Sequence, residues 1–148
     1  MTEDAVPQGV VAVLPPETAK SRAVAAFHLA ALRRQFAAIR DLYGEDPPHR
    51  AREALWVALE VIQAELRGEQ VALRDLVSRA AGLLSAPTLS RVVAELEQEG
   101  TLVSELISSE QGRLKLLRPT ARALDILAAR ADGAFAEFAA IVRDAEGR

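Results

Sequence analysis

Apolar residues recur along this chain in changing rhythms, and the order of those rhythms predicts its elements. From about Thr18, the residues Leu32, Phe36, Ile39 and Tyr43 fall at three- and four-residue steps, with Val24, Phe27 and Ala31 on a neighbouring line. That spacing predicts a long helix with a broad apolar surface, stopped by Gly44. Asp46-Pro47-Pro48 offers an N-cap followed by helix-compatible prolines, and Leu55, Leu59, Ile62 and Leu66, with Trp56 beside them, predict the core stripe of a second helix ending at Gly68. Val71 to Leu73 suits a small strand. Arg74 to Ala81 predicts a short helix with Leu73, Leu76 and Val77 facing inward, followed by a turn at Gly82-Leu83-Leu84.

The next segment, Ser85 to Thr120, changes rhythm twice. Ser85 is a good N-cap because its hydroxyl can accept an unpaired amide proton of the first turn, and Pro87 sits just inside the start. Leu89, Val92, Val93 and Leu96 predict the buried face of this helix, opposite Thr88, Ser90, Arg91 and Glu95. Gly100 stops it. Leu102 and Leu106 then alternate with Thr101, Val103 and Ser104, the tip Ser108-Ser109-Glu110-Gln111-Gly112 has turn chemistry, and Leu114, Leu116 and Leu117 supply a return strand. Pro119 or Thr120 opens a last helix with Leu124, Leu127, Ala131, Phe135, Phe138 and Val142 as its stripe, and Gly133 is a candidate bend. Helix, turn, helix and hairpin in this order predict a mainly α, α+β fold. The expected form is a winged helix-turn-helix core with a two- or three-stranded wing sheet, flanked by long terminal helices.

Composition fits that picture and narrows the chemistry. The chain has 148 residues, half of them apolar, which suits a single core. Residues 1–17, with Pro7, Pro15 and Pro16, predict an extended or disordered arm. Residues 18–148 predict one domain, with terminal helices at 18–44 and 119–146 around a winged segment at 50–118. The stripes of the two terminal helices exceed what the small middle can cover, so a homodimer built from them is expected. The acids near the N-terminus and the short apolar run Val10 to Leu14 argue against a secretory signal or a membrane span, so a soluble cytoplasmic protein is expected. Cysteine is absent, which excludes disulfides, thiolate metal sites and a cysteine nucleophile. His28 and His49 belong to no metal-spaced or catalytic cluster, and no Gly-rich phosphate loop is present, so neither an enzyme nor a bound metal or cofactor is expected.

The run Ser85, Pro87, Thr88, Leu89, Ser90, Arg91, Val92, Val93, Leu96, Glu97 and Gly100 resembles the recognition-helix segment of the MarR family of bacterial winged-helix regulators. The resemblance follows the helix order from about Thr18 to Val142, with its specific motif content between Leu76 and Leu124. It departs from the family at Ala86, where a base is common, and at Gln111, where the wing usually has aspartate. It implies a dimeric transcription regulator, a repressor in the simplest case, that places recognition helix 86–99 and wing 101–118 on a pseudo-palindromic operator in double-stranded DNA. Ser85, Pro87, Thr88, Ser90, Arg91, Ser109, Gln111 and Arg113 would face the DNA, with Arg113 at the minor groove or its phosphates. The resemblance also implies a small-molecule effector pocket, for which Phe27, Phe36, Tyr43 and Trp56 are the candidate lining.

Charge tempers this expectation. The chain carries a net charge of −3, and Glu95, Glu97 and Glu99 make the far end of the recognition segment acidic. Arg74, Arg79, Arg91, Arg113, Lys115, Arg118 and Arg122 nearly balance the acids of the winged segment, so nonspecific attraction to phosphate should be weak. The alternative is a winged-helix dimer that no longer binds DNA and serves as a protein-interaction module.

Overall fold

A chain rich in alanine, leucine, arginine and glutamate favours helix, and helix dominates the computed structural model, which describes residues 16–110 and 112–147. The order is α1 (Pro16–Tyr43), α2 (Ala51–Leu66), β1 (Val71–Ala72), α3 (Leu73–Ala80), α4 (Ala86–Gln98), β2 (Leu102–Ser109), β3 (Gly112–Pro119) and α5 (Ala121–Ala145). The strands form one antiparallel sheet in the order β1-β3-β2. Most of the expected arm, residues 1–15, lies outside the described residues, while Pro16 and Glu17 already belong to α1.

Two compact units divide the described chain, and the boundary falls inside both terminal helices. The smaller unit joins α1 up to Arg34 with α5 from Asp132 onward. Its helices meet through Phe27 and Phe138, whose rings lie 6.1 Å apart, and through Glu137, which accepts from Arg34 at 2.7 Å and from Arg33 at 3.0 Å. Gly133 neither breaks nor caps α5, and a Cβ there would come within 3.8 Å of the Arg34 guanidinium.

The larger unit, Gln35–Ala131, holds the main core. Leu89, Val92, Val93 and Leu96 of α4 are fully buried against α2, α3 and the strands, together with Val57, Val61, Leu76, Leu102 and Leu117. Burying each of these side chains stabilises the fold by about 1.5–3 kcal/mol before entropy is counted. A second, smaller cluster of Ile39, Ala51 and Leu55 packs the end of α1 on the start of α2, and Tyr43 touches both clusters.

Several local expectations change. α2 starts at Ala51, not at Asp46-Pro47-Pro48, and its N-cap Arg50 makes no side-chain cap. Leu59 and Leu66, expected in the core, are 40% and 68% exposed. Leu55 and Ile62 of the expected stripe are buried, but the rest of the buried surface of α2 runs through Ala54, Val57, Ala58, Val61 and Ala64, where small side chains let α2 approach its neighbours, and Leu59 and Leu66 fall beyond its edge. Leu106 is likewise 60% exposed, because the paired strands run on past the helices that cover Leu102. Of the two residues expected to open α5, Pro119 closes β3 and Thr120 takes the role, its hydroxyl accepting from the Ala123 amide at 3.3 Å.

Gly100 ends α4 at φ +77, with open space where a Cβ would stand. Gly100→Ala therefore costs only backbone strain, about 1 kcal/mol, whereas Leu96→Ala opens the core and costs roughly 2–5 kcal/mol. Urea unfolding of the two variants against the parent should show that order.

Candidate nucleic-acid interface

The candidate surface is built on α4. Ser85 caps it: its Oγ accepts from the Thr88 amide at 3.2 Å and donates to Thr88 Oγ1 at 2.9 Å. Both hydroxyls are thus engaged in the cap, and Ser85 acts on any ligand through the helix start that it fixes. With the aliphatic face turned inward, Ala86, Pro87, Ser90, Arg91, Ala94 and Gln98 are left exposed. The outward face is therefore small and neutral around one cation.

Most neighbouring cations are committed. Lys115 pairs with Glu97 at 3.1 Å, Arg118 with Glu65 at 2.6 Å and Arg79 with Glu60 at 2.9 Å. Arg122 donates to the Leu42 carbonyl at 3.1 Å and to Thr101 Oγ1 at 3.4 Å. Among the described residues, neither Arg91 nor Arg113 has an ion-pair or hydrogen-bond partner, and both are exposed. The register puts Arg113 opposite Ser108, next to the tip of the hairpin. Ser109 Oγ donates to the Gly112 carbonyl at 2.9 Å and helps to close that tip. Gln111 lies outside the described residues.

Glu97 fastens the hairpin to α4, a role its sequence position did not disclose. Its carboxylate accepts from Ser104 on β2 and pairs with Lys115 on β3. Partial burial raises its pKa, but the Ser104 and Lys115 hydrogen bonds and the lysine charge outweigh that and hold it below the usual carboxylate value. Glu95 and Glu99 crowd the C-terminal end of α4, which has no basic residue in its last turn. Burial, then the charge of Glu95, raise the Glu99 pKa, with Arg122 acting in the opposite sense. Polarity thus runs along α4, from a neutral first half bearing Arg91 to an acidic end.

Beside that acidic end is a polar junction. Thr101 is fully buried; its carbonyl accepts from the Thr120 amide at 3.0 Å and its own amide donates to the Leu96 carbonyl at 2.9 Å. Thr120 Oγ1 also donates to the Gly100 carbonyl at 2.7 Å. The Tyr43 hydroxyl is buried without a hydrogen-bond partner. Burial, reinforced by Glu99 and Glu95, pushes its pKa up to about 12, so it stays neutral.

The four aromatic residues expected around an effector are divided between the two units. Phe27 belongs to the smaller unit, paired with Phe138. In the larger unit Phe36 is 60% exposed, Tyr43 packs into the core, and Trp56 lines an open surface cleft of about 500 Å³ with Leu59, Arg79 and Leu83. A more enclosed space among Leu42, Ala58, Ile62, Ala123 and Ile126 measures only about 50 Å³, well below the ~300–1,000 Å³ of ordinary ligand pockets. His28 and His49 are exposed, and no group of three potential metal ligands occurs among the described residues. No described helix is long and apolar enough to cross a membrane.

Compared with protein-family models, curated proteins and solved structures, the chain matches none.

The raised pKa of Glu99 has a direct consequence. A carboxyl that holds its proton more tightly folded than unfolded destabilises the fold where it is ionised, and that penalty fades as pH falls through the raised value toward the unfolded one. Glu99→Gln should therefore raise the melting temperature at pH 7 and lose that advantage near pH 4. Thermal melts at the two pH values check this.

Proposed function

We propose that the larger unit is a winged helix-turn-helix, that α4 is its recognition helix, and that the chain is a homodimeric, DNA-binding transcription regulator acting on a pseudo-palindromic operator. One observation carries the reading: Arg91 stands without an acidic partner on a neutral, outward helix face, in a protein that ties down several other cations of the same unit. An arginine so placed is available for a bidentate contact with guanine or a grip on phosphate. Arg113 supports it as a second unpaired cation on the hairpin. The acidic end of α4 favours an approach by its N-terminal half, where the helix dipole also attracts phosphate.

Dimerisation is proposed through the smaller unit. Val24 and Leu29 on α1 and Phe135 and Val142 on α5 are exposed, Phe135 by 79%. Such a concentration of large apolar side chains on two paired helices is best buried against a second copy. A two-fold pair presents α4 twice, hence the symmetric operator. Occupancy of a promoter site by such a dimer would repress transcription.

A protein-interaction module is the second reading, and one feature favours it. The register places Val103, Ile107, Leu114 and Leu116 on one face of the hairpin, with Val103 53% exposed and Glu105 among them. A DNA-facing hairpin would ordinarily be more basic.

Fluorescence anisotropy with the chain's own upstream DNA, at two salt concentrations, separates the readings. Arg91→Ala should weaken specific binding by roughly 5–150-fold, the worth of one good base contact. Arg113→Ala should lower affinity more evenly across sequences and reduce the salt slope by about 1. Absence of binding at low salt to that DNA and to a random-site pool would defeat the regulator reading and put the interaction module first. Phe135→Glu should convert the dimer to a monomer in sedimentation velocity while leaving the helical circular dichroism signal in place; a parent chain that is itself monomeric at micromolar concentration would refute the dimer.

A further inference from the structure

The chemistry of the α4 surface says which bases it would read. This step rests on the DNA-binding reading above. In a helix that turns by about 100° per residue, the buried residues Leu89, Val92, Val93 and Leu96 define one side, and the direction opposite them passes between Pro87, Ala94, Gln98 and Arg91. Pro87 near the start and Gln98 at the end lie nearest that direction; Ala94, just past the middle of the helix, lies to one side of it with Ser90 beyond, and Arg91 lies to the other, all exposed. Pro87 and Ala94 are seven residues apart, which along a helix is about 10 Å, or roughly three base-pair steps. The middle of the reading face is therefore apolar and short, and its only charge is Arg91.

Short apolar side chains at a major-groove surface have one strong preference. They carry no donor or acceptor for a base edge, but they pack against the C5-methyl group of thymine, the one apolar group the groove presents. Placing the same methyl groups against the amine of cytosine or the polar edge of guanine would desolvate those groups without a partner. Arg91, beside them, is suited to the O6 and N7 acceptors of guanine. Ser90 discriminates little, because a hydroxyl both donates and accepts. Of the described cations of the hairpin, Lys115 is held by Glu97 and Arg118 by Glu65, which leaves Arg113.

We infer that each operator half-site carries a single guanine, read by Arg91, flanked by thymines whose methyl groups pack on Pro87 and Ala94, and that Ala94 is a specificity-determining residue. The discrimination comes from methyl contacts and not from a row of hydrogen bonds. Affinity for the correct site is consequently modest, in keeping with the low positive charge.

The test begins by selecting sites for the full-length protein from a random double-stranded pool, then replaces each half-site thymine singly by deoxyuridine, which removes the methyl group and keeps the base pair. The expected result is a thymine-rich half-site with one guanine and a loss of about fivefold or more at one or two thymines. Ala94→Gly should bind the parent and deoxyuridine sites equally. Because glycine also weakens a helix, Ala94→Asn gives an independent reading: asparagine pairs with the N6 and N7 edge of adenine, so reselection should exchange a thymine for an adenine at the same position. Specific sites that are indifferent to every deoxyuridine, or an Ala94→Asn variant that selects the parent sequence, would overturn this inference and leave the DNA-binding reading standing. A pool that yields no enriched sequence would overturn both.

Discussion

The four aliphatic side chains on the inner side of α4 are the constraint from which the rest follows. Leu89, Val92, Val93 and Leu96 are fully buried, and they engage α2, α3 and the sheet at once. Close packing leaves such a helix no freedom to roll, because a rotation of one residue would carry a valine or leucine into water and a serine or arginine into the core. The outward face is thus fixed by what the inward face cannot give up. Ser85 then fixes where the helix begins, and Glu97 fixes where the hairpin lies against it.

Much of this was legible in the sequence because the relevant signals are local. The cap at Ser85, the proline after it, the alternation of buried and exposed positions along α4 and the glycine at Gly100 all act within a few residues, and each appears where the pattern places it. The third strand, beginning at Val71, also appears, paired with Leu117. The failures are equally informative. Leu59 and Leu66 have the right spacing for a core stripe, but alanines at 54, 58 and 64 occupy the close approach, and periodicity alone does not show that small residues make the tighter seam. Asp46-Pro47-Pro48 has good start chemistry, yet the chain spends it on a turn in which the Pro48 carbonyl accepts from Ala51 at 3.1 Å.

At the candidate surface, the sequence put Thr88, Ser90, Arg91 and Glu95 opposite the buried face; Ser90 and Arg91 are exposed there, whereas Thr88 and Glu95 are half-buried. It did not identify which cations would be free. Lys115, Arg118, Arg79 and Arg122 resemble Arg91 in composition, and only the fold shows that partners far away in the chain claim them. Ala94 was passed over because alanine carries no obvious chemistry, although it lies seven residues from Pro87 on the same line. The aromatic residues show the opposite case: their large side chains suggest a cavity, but Phe27 and Tyr43 are taken up in packing, and Phe36 and Trp56 lie on open surface.

The eight-pair ladder of the hairpin carries one further consequence. Its root, where Ser104 pairs with Leu117, is held by β1, by the core and by Glu97, whereas β1 does not reach the pairs from Ile107–Leu114 to Ser109–Gly112. Local opening free energy follows the support a segment receives. Amide protons should therefore exchange along a gradient, slowly at the root and rapidly toward the tip. Arg91 is carried by a helix that is already rigid, but Arg113 stands at the quickly exchanging end of the ladder. Any contact made by Arg113 must first still that end, so the two arginines, alike in charge, would contribute to a complex with different entropies.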